Sequence, residues 1–230
     1  MSDPIPPEAL AALGRLDTCA VANAIETFGL RLRNEGFANR AIRCFTSALP
    51  PAIGYAETLK VRSSSPPWDH TAYLDRTDWW SDLKVLPSPR ILVIEDVDAQ
   101  VGLGAFVGGV HANILRALGC VGAITNGAVR DIPEIREAGL QVFAGNLSPS
   151  HAYVHVVEHG GPVTIAGLSV SPGDLLHMDQ HGVIHVPEQV ALEVPAVAAR
   201  LRQREAEIKD LCRSKDFSVD GLRNLVNPKG

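Results

Sequence analysis

The chain lacks any cysteine pairing that would suggest a zinc site or a redox motif. Cys19, Cys44, Cys120 and Cys212 are scattered, and none forms a Cys-x-x-Cys unit. They read as buried or incidental thiols that pack as small hydrophobes. An excess of positive charge is missing too: 21 Lys and Arg stand against 26 Asp and Glu, a formal net charge of −5. That balance gives no general attraction to the phosphates of DNA or RNA. No stretch approaches the ~18 continuous apolar residues a membrane-spanning helix needs, and the opening "MSDPIPPEAL" has no basic segment followed by an apolar run. A cytoplasmic protein with neither a nucleic-acid nor a membrane partner is expected. Hydrophobic residues make up 46% and charged residues 20% of the 230, close to globular averages, which argues against disorder or a fibrous repeat. No composition break divides the chain, so one domain over 1–230 is expected.

The pattern of elements is that of a mixed α/β protein. "PPEALAALGRLDTCAVANAIETFG" predicts two short helices, the first opened by Pro7 and the second capped near Asp17 or Thr18 and stopped by Gly29. "YAETLKVRS" alternates like a strand, while 64–89, rich in breakers and tryptophans, predicts a surface excursion carrying a short helix. From Pro89 the order is strand "RILVIEDVD", Gly-rich loop, helix "VHANILRALG", strand "CVGAITNG", helix "PEIREAG" and strand "LQVFAGN". Strands alternating with helices at this spacing imply parallel βαβ units. Residues 152–187 contain β-rich runs separated by Gly, Pro and Asp, which predict an added group of hairpin-like strands. A long amphipathic helix is expected at about 188–213, followed by a polar tail, either mobile or docked on a neighbouring subunit.

Three stretches carry polar residues in patterns that could do chemistry. The loop "VGLGAFVGGVH" (101–111) follows a strand and opens a helix, so Gly102, Gly104 and Gly108 superficially suit a dinucleotide fingerprint; the next strand, however, ends in Asn126 where a ribose-binding acid should stand. What survives is a glycine-rich helix N-terminus able to hold a small anion, beside the simpler reading of a tight turn. In "NGAVRDIPEI" (126–135), Asp131 and Glu134 match a capping box with Pro133 in the first turn. That leaves Arg130 unexplained, at the C-terminal end of a strand where open α/β sheets place ligands. A guanidinium forks onto a carboxylate, and one or two carboxylates are what Mg²⁺ usually takes from a protein. The histidines form two sets spaced by four, His151, His155, His159 and His177, His181, His185. On strands that spacing spans about 13 Å, too far for shared ligation, so structural or surface roles are expected. His111, inside the glycine loop, is kept as a substrate contact.

Gly109, twenty residues, Arg130-Asp131, two residues and Glu134 resemble the G-x20-R-D-x2-E/D pattern of the RraA-like family, which includes the 4-hydroxy-4-methyl-2-oxoglutarate aldolases. "GCVGAITNGAVRD", "VFAGNLSP" and "VSPGDLLHMDQHGVIHVP" agree further, "LDTCAVANAIETFG" more loosely, so that the likeness covers roughly 10–30, 54–62 and 90–190. The resemblance implies a layered α/β sandwich with a swivelling-type βα core, assembled as a homotrimer or homohexamer with sites between subunits. It implies a divalent-metal-dependent lyase that cleaves 4-carboxy-4-hydroxy-2-oxo acids to pyruvate and a second oxo-acid, with oxaloacetate decarboxylase activity alongside. Carried onto this chain, Asp131 would bind Mg²⁺ or Mn²⁺ and Glu134 would hold metal-bound water. Arg130 would bind substrate and stabilise the enolate, and Gly108, Gly109, Val110 and His111 would line the pyruvate end. Many aldolases of the family carry an acid where this chain has Gly109 and an Asp where it has Asn126, and His111 usually corresponds to a small or apolar residue. No Lys lies between Lys84 and Lys209, which disfavours a Schiff base in the βαβ region. The family also contains non-catalytic, protein-binding regulators of RNase E. These typically lack the acid after Arg-Asp, so Glu134 favours the enzyme.

Overall fold

The computed structural model describes residues 4–68 and 77–227. Helix α1 (Pro7–Leu13) starts on a proline whose missing N–H costs nothing at that position, and α2 (Thr18–Glu26) starts where the Asp17 carboxylate accepts the Ala20 N–H at 2.7 Å. After the short β1 (Arg43–Cys44), the eleven-residue β2 (Ala52–Arg62) runs through the centre of the molecule. Then come α3 (Trp79–Val85), β3 (Arg90–Asp96), β4 (Ala105–Val107), α4 (Gly109–Ala117), β5 (Cys120–Thr125), β6 (Ala128–Val129), α5 (Ile132–Glu137), β7 (Gln141–Ala144) and β8 (Asn146–Leu147). Strands β9 (His155–His159), β10 (Val163–Ile165), β11 (Leu168–Val170), β12 (Leu175–Asp179) and β13 (Gly182–His185) follow, and helices α6 (Glu188–Ala191), α7 (Val194–Arg213) and α8 (Val219–Val226) close the chain.

The main sheet has the order β1-β7-β5-β3-β2-β12-β13, with β2, β3, β5 and β7 mutually parallel. Strand β2 is long enough to pair twice on one edge, antiparallel to β12 through residues 52–55 and to β9 through 59–62. The parallel strands are buried on both faces, and their period of two sorts side chains between cores. Leu92 and Ile94 of β3 join Trp79 and Leu83 of α3, Leu115 of α4 and Ile135 of α5. Ile91 and Val93 face the β10–β11 hairpin through Val163, Ile165 and Val170. A third core packs α1, α2, α6 and α7 against Ile53, Tyr55 and Leu175. Each fully buried aliphatic side chain contributes about 1.5–3 kcal/mol relative to exposure.

Several expectations needed correction. The helix expected over 188–213 is two helices: the chain breaks at Leu192 and Glu193, and α7 restarts with Pro195 in its first turn, where the ring is tolerated. The polar tail contains α8, whose N-terminus is capped by Ser218 accepting the Gly221 N–H at 3.1 Å. The short strands β4, β6 and β8, which the sequence reading leaves in loops, form a separate parallel sheet in the order β4-β6-β8. In the tryptophan-rich segment the expected short helix is α3, with Trp79 buried and Trp68 exposed; residues 69–76 lie outside the described ones. All four cysteines are free. No helix among the described residues is long and apolar enough to cross a membrane.

Candidate functional site

The small sheet builds the site. Val107 of β4 and Val129 of β6 lie side by side, and the Arg130 N–H continues the ladder to the Val107 carbonyl at 3.0 Å. The residues just past each strand, Gly108-Gly109 and Arg130-Asp131, are therefore brought together at the carboxyl ends of two parallel strands, with Gly109 starting α4. A Cβ on Gly108 would stand 2.7 Å from Asp131 Oδ2 and 3.1 Å from Arg130 Cγ, so the absence of a side chain is what permits this approach. On Gly109 a Cβ would collide with the Glu134 carboxylate. Both acids thus converge on the two glycines.

Asp131 reaches this position through its backbone. Its φ of 52° and ψ of 43° place a non-glycine residue in the left-handed region, and its side chain makes no capping bond to α5. The capping-box reading therefore fails for Asp131. Instead, Oδ2 accepts the Gly109 N–H at 3.2 Å and the Arg130 Nε–H at 3.2 Å. Held strain of this kind costs about 1–3 kcal/mol and persists where the surroundings over-determine it. Among the described residues Arg130 keeps most of its donors uncommitted: beyond Asp131, its Nη1 makes one long contact of 3.4 Å to the Pro149 carbonyl. Arg130 and Asp131 side chains are 33% and 35% exposed, and Glu134 is exposed. The positive end of the α4 dipole and one guanidinium face two carboxylates across an open surface.

The other expected residues divide. Val110 stands at the second position of α4, exposed to solvent. His111 points the other way: it is 3% exposed, stacks on Phe106 at 4.6 Å between centroids, and donates Nδ1–H to the Phe106 carbonyl at 2.6 Å. Burial pushes its pKa down, so the imidazole is neutral and braces the loop from below. Trp79 packs on the same Phe106 at 6.3 Å, which carries the tryptophan-rich segment to the underside of the site. Asn126 brackets the backbone of Asp96, accepting its N–H at 2.7 Å and donating to its carbonyl at 3.0 Å, and so ties the end of β5 to the end of β3.

Sequence reasoning missed the residues that stiffen the glycine loop. Asp96 accepts the Gly102 and Asp98 N–H groups, and Asp98 accepts those of Ser63 and Ser64 at 2.6 and 2.8 Å. Asn146 and Ser148 donate to the carbonyls of Gly102 and Leu103. The available signal was "DVDAQVGLG", two aspartates before glycines, a composition that favours local side-chain to backbone turns. The histidines behave as expected of structural groups. His177 is fully buried between Thr18 and the Leu13 carbonyl, and His159 lies between Asp78 and Asp82.

Fold and residue set define an α/β protein that groups an arginine, two carboxylates and a glycine-opened helix start beyond the carboxyl ends of parallel strands, where sheets of this kind place small ligands. The chain belongs to the RraA-like family, described as Aldolase/RraA, which it matches over residues 18–185. An uncharacterised protein of Methanocaldococcus jannaschii is 26% identical over 161 residues, 68% of this chain and 75% of that one. A 4-hydroxy-4-methyl-2-oxoglutarate aldolase of Thermus thermophilus is 33% identical over 85 residues, 36% of this chain and 52% of the relative. A putative aldolase of the same type from Burkholderia multivorans is 33% identical over 97 residues, 41% and 57% of the two chains. The chain thus spans little more than half the length of these two relatives. Among solved structures, an uncharacterised protein from Pseudomonas syringae superposes with a TM-score of 0.73 at 21% identity, covering 97% of this chain and 96% of that one. An unusual RraA-family member from Streptomyces coelicolor, of the RNase ES inhibitor family, gives 0.69 at 21% identity over 91% and 99%. These likenesses show a shared fold.

Proposed function

We propose that the protein is a divalent-metal-dependent carbon–carbon lyase acting on 4-carboxy-4-hydroxy-2-oxo acids, releasing pyruvate and an oxo-acid, and decarboxylating oxaloacetate at the same site. The observation that supports this most is the convergence of Asp131 and Glu134 on Gly108-Gly109 beside Arg130. Among the described residues no group of three or more His, Cys, Asp or Glu side chains forms a metal cage. Two carboxylates at an open surface suit a hard cation that keeps most of its water, as Mg²⁺ does. Asp131 would hold Mg²⁺ or Mn²⁺ directly and Glu134 through water; bound there, the cation would supply Lewis-acid polarisation of the 2-oxo group.

The chain's own groups account for the rest. Cleaving the C3–C4 bond sends its electron pair to C3, and the charge is shared with the C2 oxygen of the pyruvate fragment while the 4-hydroxyl passes its proton to solvent water at this open surface and becomes the second oxo group. The Arg130 guanidinium is oriented by Asp131 at 3.2 Å and has donors left for that oxyanion and for a substrate carboxylate. The start of α4 supplies a positive dipole end to the same anion. Return of a proton from solvent water to C3 then gives pyruvate and closes the proton balance. Leu103, Val110 and Leu147 are exposed, and a second copy in a homotrimer or hexamer would cover such a surface. Pyruvate release from 4-hydroxy-4-methyl-2-oxoglutarate, with Mg²⁺ or Mn²⁺ and then with excess chelator, tests the reading. Chelator-sensitive release lost in Arg130→Ala supports it; release that is absent, or unchanged in Arg130→Ala and Asp131→Ala, overturns it.

A further inference from the structure

The parallel strands have a second end. At the amino-terminal edge of the sheet, away from Arg130 and Asp131, a cavity of about 520 Å³ lies between α1, the starts of β2, β5 and β7, and the last turn of α4. Its volume falls in the ~300–1,000 Å³ range of small-molecule sites. The walls are apolar and stiff, since Pro7, Pro50, Pro51 and Pro89 all contribute to them. Such walls need little ordering when a ligand enters.

The charge in this cavity has one sign. Arg15 and Arg116 line it and no Asp or Glu does. Neither arginine has an ion-pair partner among the described residues. Arg116 is anchored by Nη1 to the Cys120 carbonyl at 2.8 Å, with its remaining donors uncommitted. Gln141 also lines the cavity; it is 1% exposed, and its Oε1 has no hydrogen-bond partner among the described residues. Two guanidiniums at an apolar hollow with a single buried amide match a monoanion with a hydrophobic body. They are too few for a polyphosphate, and the wall offers no glycine-rich N–H cradle of the kind phosphates use.

We infer that this cavity binds a small monocarboxylic acid with an apolar body, its carboxylate on Arg15 and Arg116 and its body against the prolines. This site is separate from the proposed lyase site and does not depend on it. The test titrates the purified protein with 3-phenylpropanoate, and with 3-phenylpropanol as the uncharged comparator, by calorimetry or ligand-observed NMR. Saturable 1:1 binding of the acid is expected with a Kd of about 1 mM or tighter, at least tenfold weaker for the alcohol and for Arg15→Glu, and lost in Ala11→Trp, which fills the hollow. Arg15 is exposed, so Arg15→Glu carries the test if Ala11→Trp fails to fold. No saturable binding up to about 10 mM, equal binding of acid and alcohol, or binding unchanged by Arg15→Glu would overturn the inference.

Discussion

Gly109→Ala separates the site from the scaffold. The added methyl would meet the Glu134 side chain on three atoms, its carboxylate oxygen, Cδ at 2.8 Å and Cβ at 2.9 Å. A carboxylate at the end of a flexible side chain can swing away. Cβ cannot, so α4 and α5 must part by several tenths of an ångström. Overpacking of this kind costs about 1–3 kcal/mol, and alanine's advantage over glycine inside a helix offsets little of it at this first position of α4. The loss of stability is therefore no more than about 3 kcal/mol, and a shift in melting temperature of no more than about 12 °C is expected at ~2–4 °C per kcal/mol. Activity should respond far more. Displacing Glu134 by about an ångström removes one of the two carboxylates from the Gly108-Gly109 corner, and misplacement of that size can cost about 10²-fold, or ~2.7 kcal/mol in kcat/KM. If the loss runs through Glu134, then Glu134→Ala should lose a similar factor and the double variant little more than either single one. The assay is metal-dependent pyruvate release together with thermal melts for all four proteins. Gly109→Ala active within twofold of the parent, or single losses that multiply in the double variant, would refute the reasoning.

Other perturbations follow from buried titratable groups. Burial pushes Asp98 up, but the donors of Ser63 and Ser64 outweigh it and hold its carboxyl below the usual range. Its contribution is therefore present above the unfolded value of ~3.9 and lost as pH falls through the lower folded value. Asp98→Asn should melt lower at pH 7 and show a flatter acid limb in Tm against pH. Glu57 is the reverse case: burial raises its pKa, so its stability is complete below ~4.3 and lost as pH rises through the folded value. Glu57→Gln should raise Tm at neutral pH and leave it nearly unchanged at pH 4. Among the thiols, burial pushes Cys120 up to about 12, while Cys19 and Cys212 are exposed. Timed alkylation followed by mass spectrometry should label Cys212 and Cys19 in the folded protein and Cys120 only after unfolding.

The parts legible in the sequence were those with a sustained period. Strands β3, β5 and β7 and helices α4 and α5 each span four or more residues of regular spacing, and their alternation implied a parallel sheet. Strands β4, β6 and β8 were not legible, because two or three residues carry no period and they pair only with one another. They are nonetheless the elements that bring Gly108 to Arg130. Asp131 was legible as chemistry but not as conformation: Asp-x-x-Glu before a helix is what a capping box looks like, and only the left-handed φ reveals that the carboxylate turns to Gly109. Similarly, Asn126 looked like a missing acid, whereas its amide brackets Asp96 with a donor and an acceptor, a double role no carboxylate could fill. His111 sat in the right loop, yet its ring faces the core, and nothing in a glycine-rich context tells the sides of a helix start apart.

The measurement that bears most directly on the lyase reading is oxaloacetate decarboxylation by the purified protein with Mn²⁺, corrected for the metal-only rate, compared with Asp131→Ala at equal folded concentration. Turnover above background that chelator abolishes and Asp131→Ala reduces by 10²-fold or more is the predicted result. Decarboxylation no faster than free Mn²⁺, or turnover retained in Asp131→Ala, would contradict the assignment of the chemistry to the Arg130-Asp131 corner.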